Sequence, residues 1–288
     1  MFQRSFSIYT VKLPLRRPFQ WRVFAALVAL YFLGNLAALP LLRATHAPIE
    51  PVWFWGLATL AAALLIALSM ALANRSGLGA PFLEGLIPKG DLRAWLKSGA
   101  ALTLLMSMVG LPFSLLLNLN ADPASYPAGW QLVLASIKAG VVEEIAYRFF
   151  LISGFVWVGS FLKRDAEGRP GSSVYWAANL IAALLFGWAH VEARLGDPQA
   201  PVWALAGIMV ASTYLGGCFG WLLWKLGLEW AILAHFMYDA FISAMLIPVY
   251  LLKSPLVWAL LVIGLIIATI LAWRTLAQTQ PQVRSQEA

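Results

Sequence analysis

Glu143 and Glu144 stand side by side in the stretch EEIAYR, with Arg148 one helical turn beyond. They lie inside an apolar run from about Trp130 to Val156, long enough to cross a bilayer. An ionisable side chain at the membrane centre costs roughly 2.5 kcal/mol or more unless it is paired or faces a watery cavity. Two adjacent carboxylates there imply a buried polar site, not a lipid-facing surface. On an α-helix Glu144 and Arg148, spaced i,i+4, share a face. Glu143 is rotated about 100° away, onto the face of Tyr147. The spacing pairs Glu144 with Arg148 and leaves Glu143 to face something else; a polar clamp between helices would use the same residues.

Two further apolar helices carry matching groups. Phe186 and His190 are spaced i,i+4, as are His235 and Asp239, with Tyr238 beside them. A His–carboxylate pair on one face can fix a tautomer, hold a metal or close a hydrogen bond. Glu143 is thirteen residues from Trp130, His190 fifteen from Tyr175 and His235 ten from Lys225. At a rise of about 1.5 Å per residue, all three reach the middle half of a bilayer. They are therefore expected to converge on one water-filled cavity. His46, in a loop, receives no role.

Positioning these groups requires a membrane bundle. Hydrophobic residues make up 61% of the 288 and charged residues only 11%, against about 25% charged in soluble domains. The chain is read as all-α: a polytopic membrane helix bundle with about eight transmembrane helices. The candidate spans are Val23–Leu42, Val52–Ala73, Ser98–Leu119, Trp130–Val156, Tyr175–Val191, Val202–Trp224, Trp230–Leu251 and Leu256–Trp273. Pro112 interrupts the third. The segment Gly77–Arg93 is expected to lie along the inner interface as a short amphipathic piece. Trp53, Trp130 and Trp230, near span ends, read as interface anchors. Gly216 and Gly220 form a GxxxG pair that lets helices approach closely. Cys218, the single cysteine, excludes an intrachain disulfide and reads as a small buried hydrophobe. Lys138, deep in the fourth span, either snorkels outward or neutralises a carboxylate.

Lysine and arginine set the orientation. With the N-terminus inside, cytoplasmic segments hold fifteen of them, outer loops hold only Arg43, Arg194 and Lys253, and Lys138 and Arg148 lie within a span. That asymmetry places both termini in the cytoplasm. It also makes the net charge of +7 a matter of topology and contact with membrane lipid, not of nucleic acid. The organisation expected is a basic N-terminal segment (1–22), three transmembrane helices (23–129), a core (130–251), a last transmembrane helix (252–274) and a polar, disordered tail (275–288). The first span, preceded by basic residues, is too long for a signal peptide's apolar region and reads as an uncleaved helix.

The motifs EEIAYR (143–148), FGWAH (186–190) and HFMYD (235–239) together resemble the CAAX protease and bacteriocin-processing (CPBP, or Abi) intramembrane proteases. They stand in the family's order, and the run from Gly216 through Gly220 to LWKLGLEWAILAH resembles its Gly-rich helix and short turn. The resemblance covers about 140–245 and makes the core, 130–251, a protease core. Asp239 departs from the pattern, since many members have Asn there. An Asn amide can donate a hydrogen bond to an oxyanion and an ionised Asp cannot, which favours a ligand or His-orienting role here.

The resemblance implies an intramembrane endopeptidase acting on a membrane-associated or membrane-presented peptide or protein. With no Ser–His or Cys–His pair in the motifs, the nucleophile expected is water. Glu143 would act as general base, with His190 holding the water. His235 would stabilise the oxyanion or bind a metal, and Glu144 paired to Arg148 would position Glu143. Asp239 completes the candidate site. Two versions stay open: no cofactor, or a divalent metal such as zinc held by His190, His235 and Glu143. Two non-proteolytic readings also stand: a non-catalytic scaffold or immunity-type protein of the same fold, and a proton-coupled transporter. A bacterial cytoplasmic membrane is the location expected.

Overall fold

A computed structural model describes residues 9–47, 49–117, 127–195, 201–242 and 254–278. Apart from one isolated bridge between Arg164 and Pro170, its regular elements are all helical. They are α1 (Trp21–Ala37), α2 (Leu39–Ala44), α3 (Val52–Ser76), α4 (Leu92–Leu117), α5 (Gly129–Glu143), α6 (Ser153–Gly159), α7 (Ser172–Glu192), α8 (Val202–Leu226), α9 (Leu228–Phe241) and α10 (Pro255–Gln278). A π-helical stretch, Glu144–Ile152, joins α5 to α6 without a break. Helices satisfy their own backbone groups, which a bilayer cannot do for them. Among the described residues, five stretches are long and apolar enough to cross a membrane: Trp21–Ala44, Trp53–Ser76, Leu92–Pro112, Ser172–Glu192 and Val202–Leu226. The sequence's fourth span is the composite α5–π–α6. The end of its seventh, after Ile242, falls outside the described residues, as does the tail from 279 on. The last helix outruns its expected end and takes in Thr275–Gln278.

Two apolar clusters hold the bundle. One joins Val23 and Leu27 of α1, Ile66 of α3, Ile145, Phe149 and Ile152 of the π stretch and Leu223 of α8. The other joins Trp95 and Leu102 of α4, Leu222 and Leu226 of α8, and Trp230 and Tyr238 of α9. Outward faces stay apolar as well; Leu260, Ile263, Ile267 and Leu271 of α10 are about half exposed, as a lipid-facing helix requires.

Small residues set the helix spacing. A Cβ on Gly216 would lie 3.1 Å from the Ala183 backbone and the Phe186 ring, and one on Gly220 would overlap the Asn179 amide. The GxxxG pair thus brings α8 onto α7, and Asn179 Nδ2 donates to the Gly217 carbonyl (2.9 Å). Gly140 does the same between α5 and α9, where a Cβ would lie 3.0 Å from the Ile232 carbonyl oxygen and the Phe236 nitrogen. Gly227, the one residue between α8 and α9, adopts φ +106°, open to glycine and strained for other residues.

One end of the bundle gathers the basic residues under a hydrogen-bonded cap. Val11 N–H donates to the Lys225 carbonyl (2.8 Å) and Arg16 N–H to that of Asn74 (2.7 Å), while Arg169 reaches the Leu13 carbonyl (3.0 Å). Arg17 pairs with Glu84 at 2.7 Å. The stretch after α3 does not form an amphipathic helix. Gly77, at φ +70°, ends α3, and the chain then runs through turns that bury Leu78 and Ala80. It also receives the start of α9: Leu228 N–H donates to the Gly79 carbonyl (2.9 Å), and Glu229 Oε1 accepts from Leu83 N–H (2.9 Å). Trp230 is likewise no interface anchor. It is 4% exposed, packed where Gly99 leaves room for its indole. Trp53 and Trp130 do stand exposed.

Candidate active site

The end of α5, the π stretch, α7 and α9 bring the expected residues together. Arg148 Nη1 lies 3.1 Å from Glu144 Oε1, with both side chains shut away from solvent (1% and 0% exposed). The same Glu144 oxygen meets Nδ1 of His235 at 2.8 Å, across 91 residues of sequence. Nε2 of His235 faces Asp239 Oδ2 at 3.3 Å and Glu143 Oε2 at 3.9 Å. One imidazole is therefore met by three carboxylates, and it donates from both nitrogens only as the imidazolium. The sequence reading assigned Glu144 to Arg148 alone; the fold gives it to His235 as well.

The two glutamates differ in surroundings. Glu144 is fully buried, whereas the Glu143 side chain is 33% exposed and lines a cavity of about 240 Å³. His190, His235 and Asp239 share that wall. His190 Nδ1 lies 2.9 Å from the Phe186 carbonyl oxygen, an arrangement in which Nδ1–H donates and Nε2 keeps its lone pair.

Aromatic rings fix the charged groups. The Phe186 ring sits 4.0 Å beneath the Arg148 guanidinium and 4.4 Å from the His190 ring. Phe219 of α8 stacks on His235 at 4.8 Å with the planes 17° apart. Such cation–π contacts hold a desolvated guanidinium by about 2 kcal/mol. Sequence spacing missed Phe219, because its partner lies on another helix. It also missed Tyr238 as a cross-brace; its hydroxyl meets that of Ser114 on α4 at 2.6 Å. Lys138 is not near these carboxylates. It lines a separate groove with Tyr31, Asn35 and Glu50. Cys218 is half-buried and lines an apolar groove between α7 and α8.

Of the His235 nitrogens, Nδ1 is held by Glu144 at 2.8 Å, and Nε2 faces Asp239 at 3.3 Å and Glu143 at 3.9 Å. Among the described residues no group of three or more His, Cys, Asp or Glu side chains is arranged to hold a metal.

With this geometry in hand, the family comparison is specific. Residues 125–241 match the model of the type II CAAX prenyl endopeptidase Rce1-like family. The match takes in α5, the π stretch and α6 through α9, and so all three motif helices. It bears out the resemblance to the CAAX protease family drawn from the motifs, and it supports a protease in a multi-pass membrane protein acting on a peptide or protein. Comparison with curated proteins and with solved structures finds no match.

Proposed function

We propose that the protein is an intramembrane endopeptidase in which Glu143 activates a water molecule to hydrolyse a peptide bond of a membrane-associated or membrane-presented substrate. One observation supports this reading: of two adjacent glutamates, one is locked in a buried Arg–His network while its neighbour stands partly exposed on a cavity wall beside two histidines.

Each residue then has a task its geometry permits. Water sits between Glu143 and His190, whose Nε2 lone pair accepts one of its hydrogen bonds. Glu143 takes the water's proton as the oxygen attacks the carbonyl carbon. The oxyanion receives a hydrogen bond from Nε2–H of His235, which turns from Asp239 to it while Glu144 holds the other nitrogen. When the C–N bond breaks, Glu143 returns the proton to the leaving amine. Asp239 orients His235, and Arg148 neutralises Glu144. General acid–base catalysis by one such group contributes about 10²–10⁴-fold, and a preorganised oxyanion donor about 10²–10³-fold.

The test is cleavage of membrane-anchored peptides by purified protein alongside Glu143→Gln and His190→Ala. Loss of cleavage in both variants, each still folded, supports the assignment. Cleavage at the unaltered rate by a folded Glu143→Gln protein removes it.

A further inference from the structure

A pocket of about 350 Å³, separate from the catalytic cavity, lies where α7 begins and α8 ends. Both helices are long and apolar enough to cross a membrane. Tyr175 of α7 and Trp224 of α8 line the pocket, stacked at 4.8 Å with their planes 9° apart. Aromatic residues near the ends of spans mark the depth of the lipid headgroups.

The N-terminal segment forms part of the wall. Val11 N–H donates to the Lys225 carbonyl (2.8 Å), which sets Lys12 beside Lys225. Both lysines line the pocket, close enough for their charges to repel. Among the described residues neither pairs with a carboxylate. The turn before α7 adds charge of both signs. Arg169 donates to the Leu13 carbonyl (3.0 Å), and its own N–H donates to Asp165 Oδ1 (2.7 Å). Glu167 lines the same pocket and pairs with no cation among the described residues.

The charges select the ligand. An ammonium group has three donors and no acceptor, and at headgroup depth the partner for two of them is a phosphate. A purely anionic headgroup would be repelled by Asp165 and Glu167. A headgroup with an ammonium group beside its phosphate satisfies both signs. A trimethylammonium group is held by open aromatic faces, and Trp224 offers none. Tyr175 stacks on one side of its indole, and Lys225 Nζ lies 3.5 Å over the ring on the other. We propose that this pocket binds the phosphoethanolamine headgroup of a membrane phospholipid, with the phosphate on Lys12 and Lys225 and the ammonium group at Asp165 and Glu167. A bound lipid then ties the N-terminal segment to α7 and α8.

The test reads no cleavage, so its outcome is independent of the endopeptidase reading. Full-length protein in mild detergent receives phosphatidylethanolamine, phosphatidylglycerol or phosphatidylcholine with identical acyl chains, or free phosphoethanolamine, in separate samples. Bound molecules are counted by native mass spectrometry. Phosphatidylethanolamine should bind about tenfold more tightly than the other two lipids, the worth of one charge-assisted contact. That preference should disappear in Lys12→Gln and Lys225→Gln, and should pass to phosphatidylglycerol in Glu167→Lys. A parent protein without the preference overturns the proposal, as does a preference that survives both lysine substitutions. Lys12 is exposed, so Lys12→Gln carries the test if Lys225→Gln fails to fold. Free phosphoethanolamine binding as tightly as the lipid overturns the assignment to a phospholipid.

Discussion

Neutralising Glu143 and neutralising Glu144 should damage the protein in opposite ways. Glu144→Gln keeps the side-chain shape but removes the charge that compensates Arg148, whose guanidinium is 1% exposed and 3.1 Å away. Breaking a buried pair from one side costs about 3–5 kcal/mol. Against a total stability of about 5–15 kcal/mol, this predicts a thermal midpoint lower by on the order of 10 °C. Glu143 is 33% exposed and stands 3.9 Å from its nearest cationic partner, beyond hydrogen-bonding reach. Glu143→Gln should therefore stay within about 0.5 kcal/mol of the parent, while cleavage falls about 10²–10⁴-fold with the loss of the base. Replacing both partners, as Glu144→Leu with Arg148→Met, should recover much of the stability lost in Glu144→Gln, since apolar packing replaces a buried pair at little cost. The assay is thermal unfolding in detergent, paired with cleavage per folded molecule. Equal loss of stability in the two glutamine variants, or normal cleavage by Glu143→Gln, would refute the division of roles.

Gly140→Leu should slow cleavage by about 10²-fold while the protein still folds, because a displacement near 1 Å between α5 and α9 is enough to misplace the reacting groups; kcat with unchanged helicity is the readout. Trp230→Ala should cost about 3–5 kcal/mol, seen as a lowered thermal midpoint, because the indole fills the space left by Gly99. Asp239→Asn should keep cleavage within about tenfold, since the amide oxygen still faces His235, and Asp239→Ala should lose more. Dialysis against a strong chelator should leave cleavage unchanged, given that both His235 nitrogens already face carboxylates; loss that is restored by added zinc would contradict this.

Much of the site was legible because each motif closes on itself along one helix. Glu144 with Arg148, Phe186 with His190 and His235 with Asp239 are all i,i+4, and each pair meets in the fold. What joins one helix to the next was not legible. In a soluble bundle an apolar stripe marks the buried face, but here lipid and core are both apolar, so hydropathy locates a helix without saying which way it faces. Trp130 and Trp230 show the consequence: the same residue type near span ends, one 58% and the other 4% exposed. The π stretch left no mark in the spacing either, although such turns gather at functional sites. Two kinds of residue carry azimuth in such a chain. One is the polar side chain that must leave the lipid, and the other is the glycine where a neighbouring backbone comes close. Gly140 of α5 lies about one helical turn before Glu144 of the π stretch, so both kinds converge on that face of the composite helix, whereas on α8 Gly216 and Gly220 supply only the second kind. The contacts between Glu144 and His235 follow from that agreement, since α9 can come close only along the glycine face and its histidine must find a partner there.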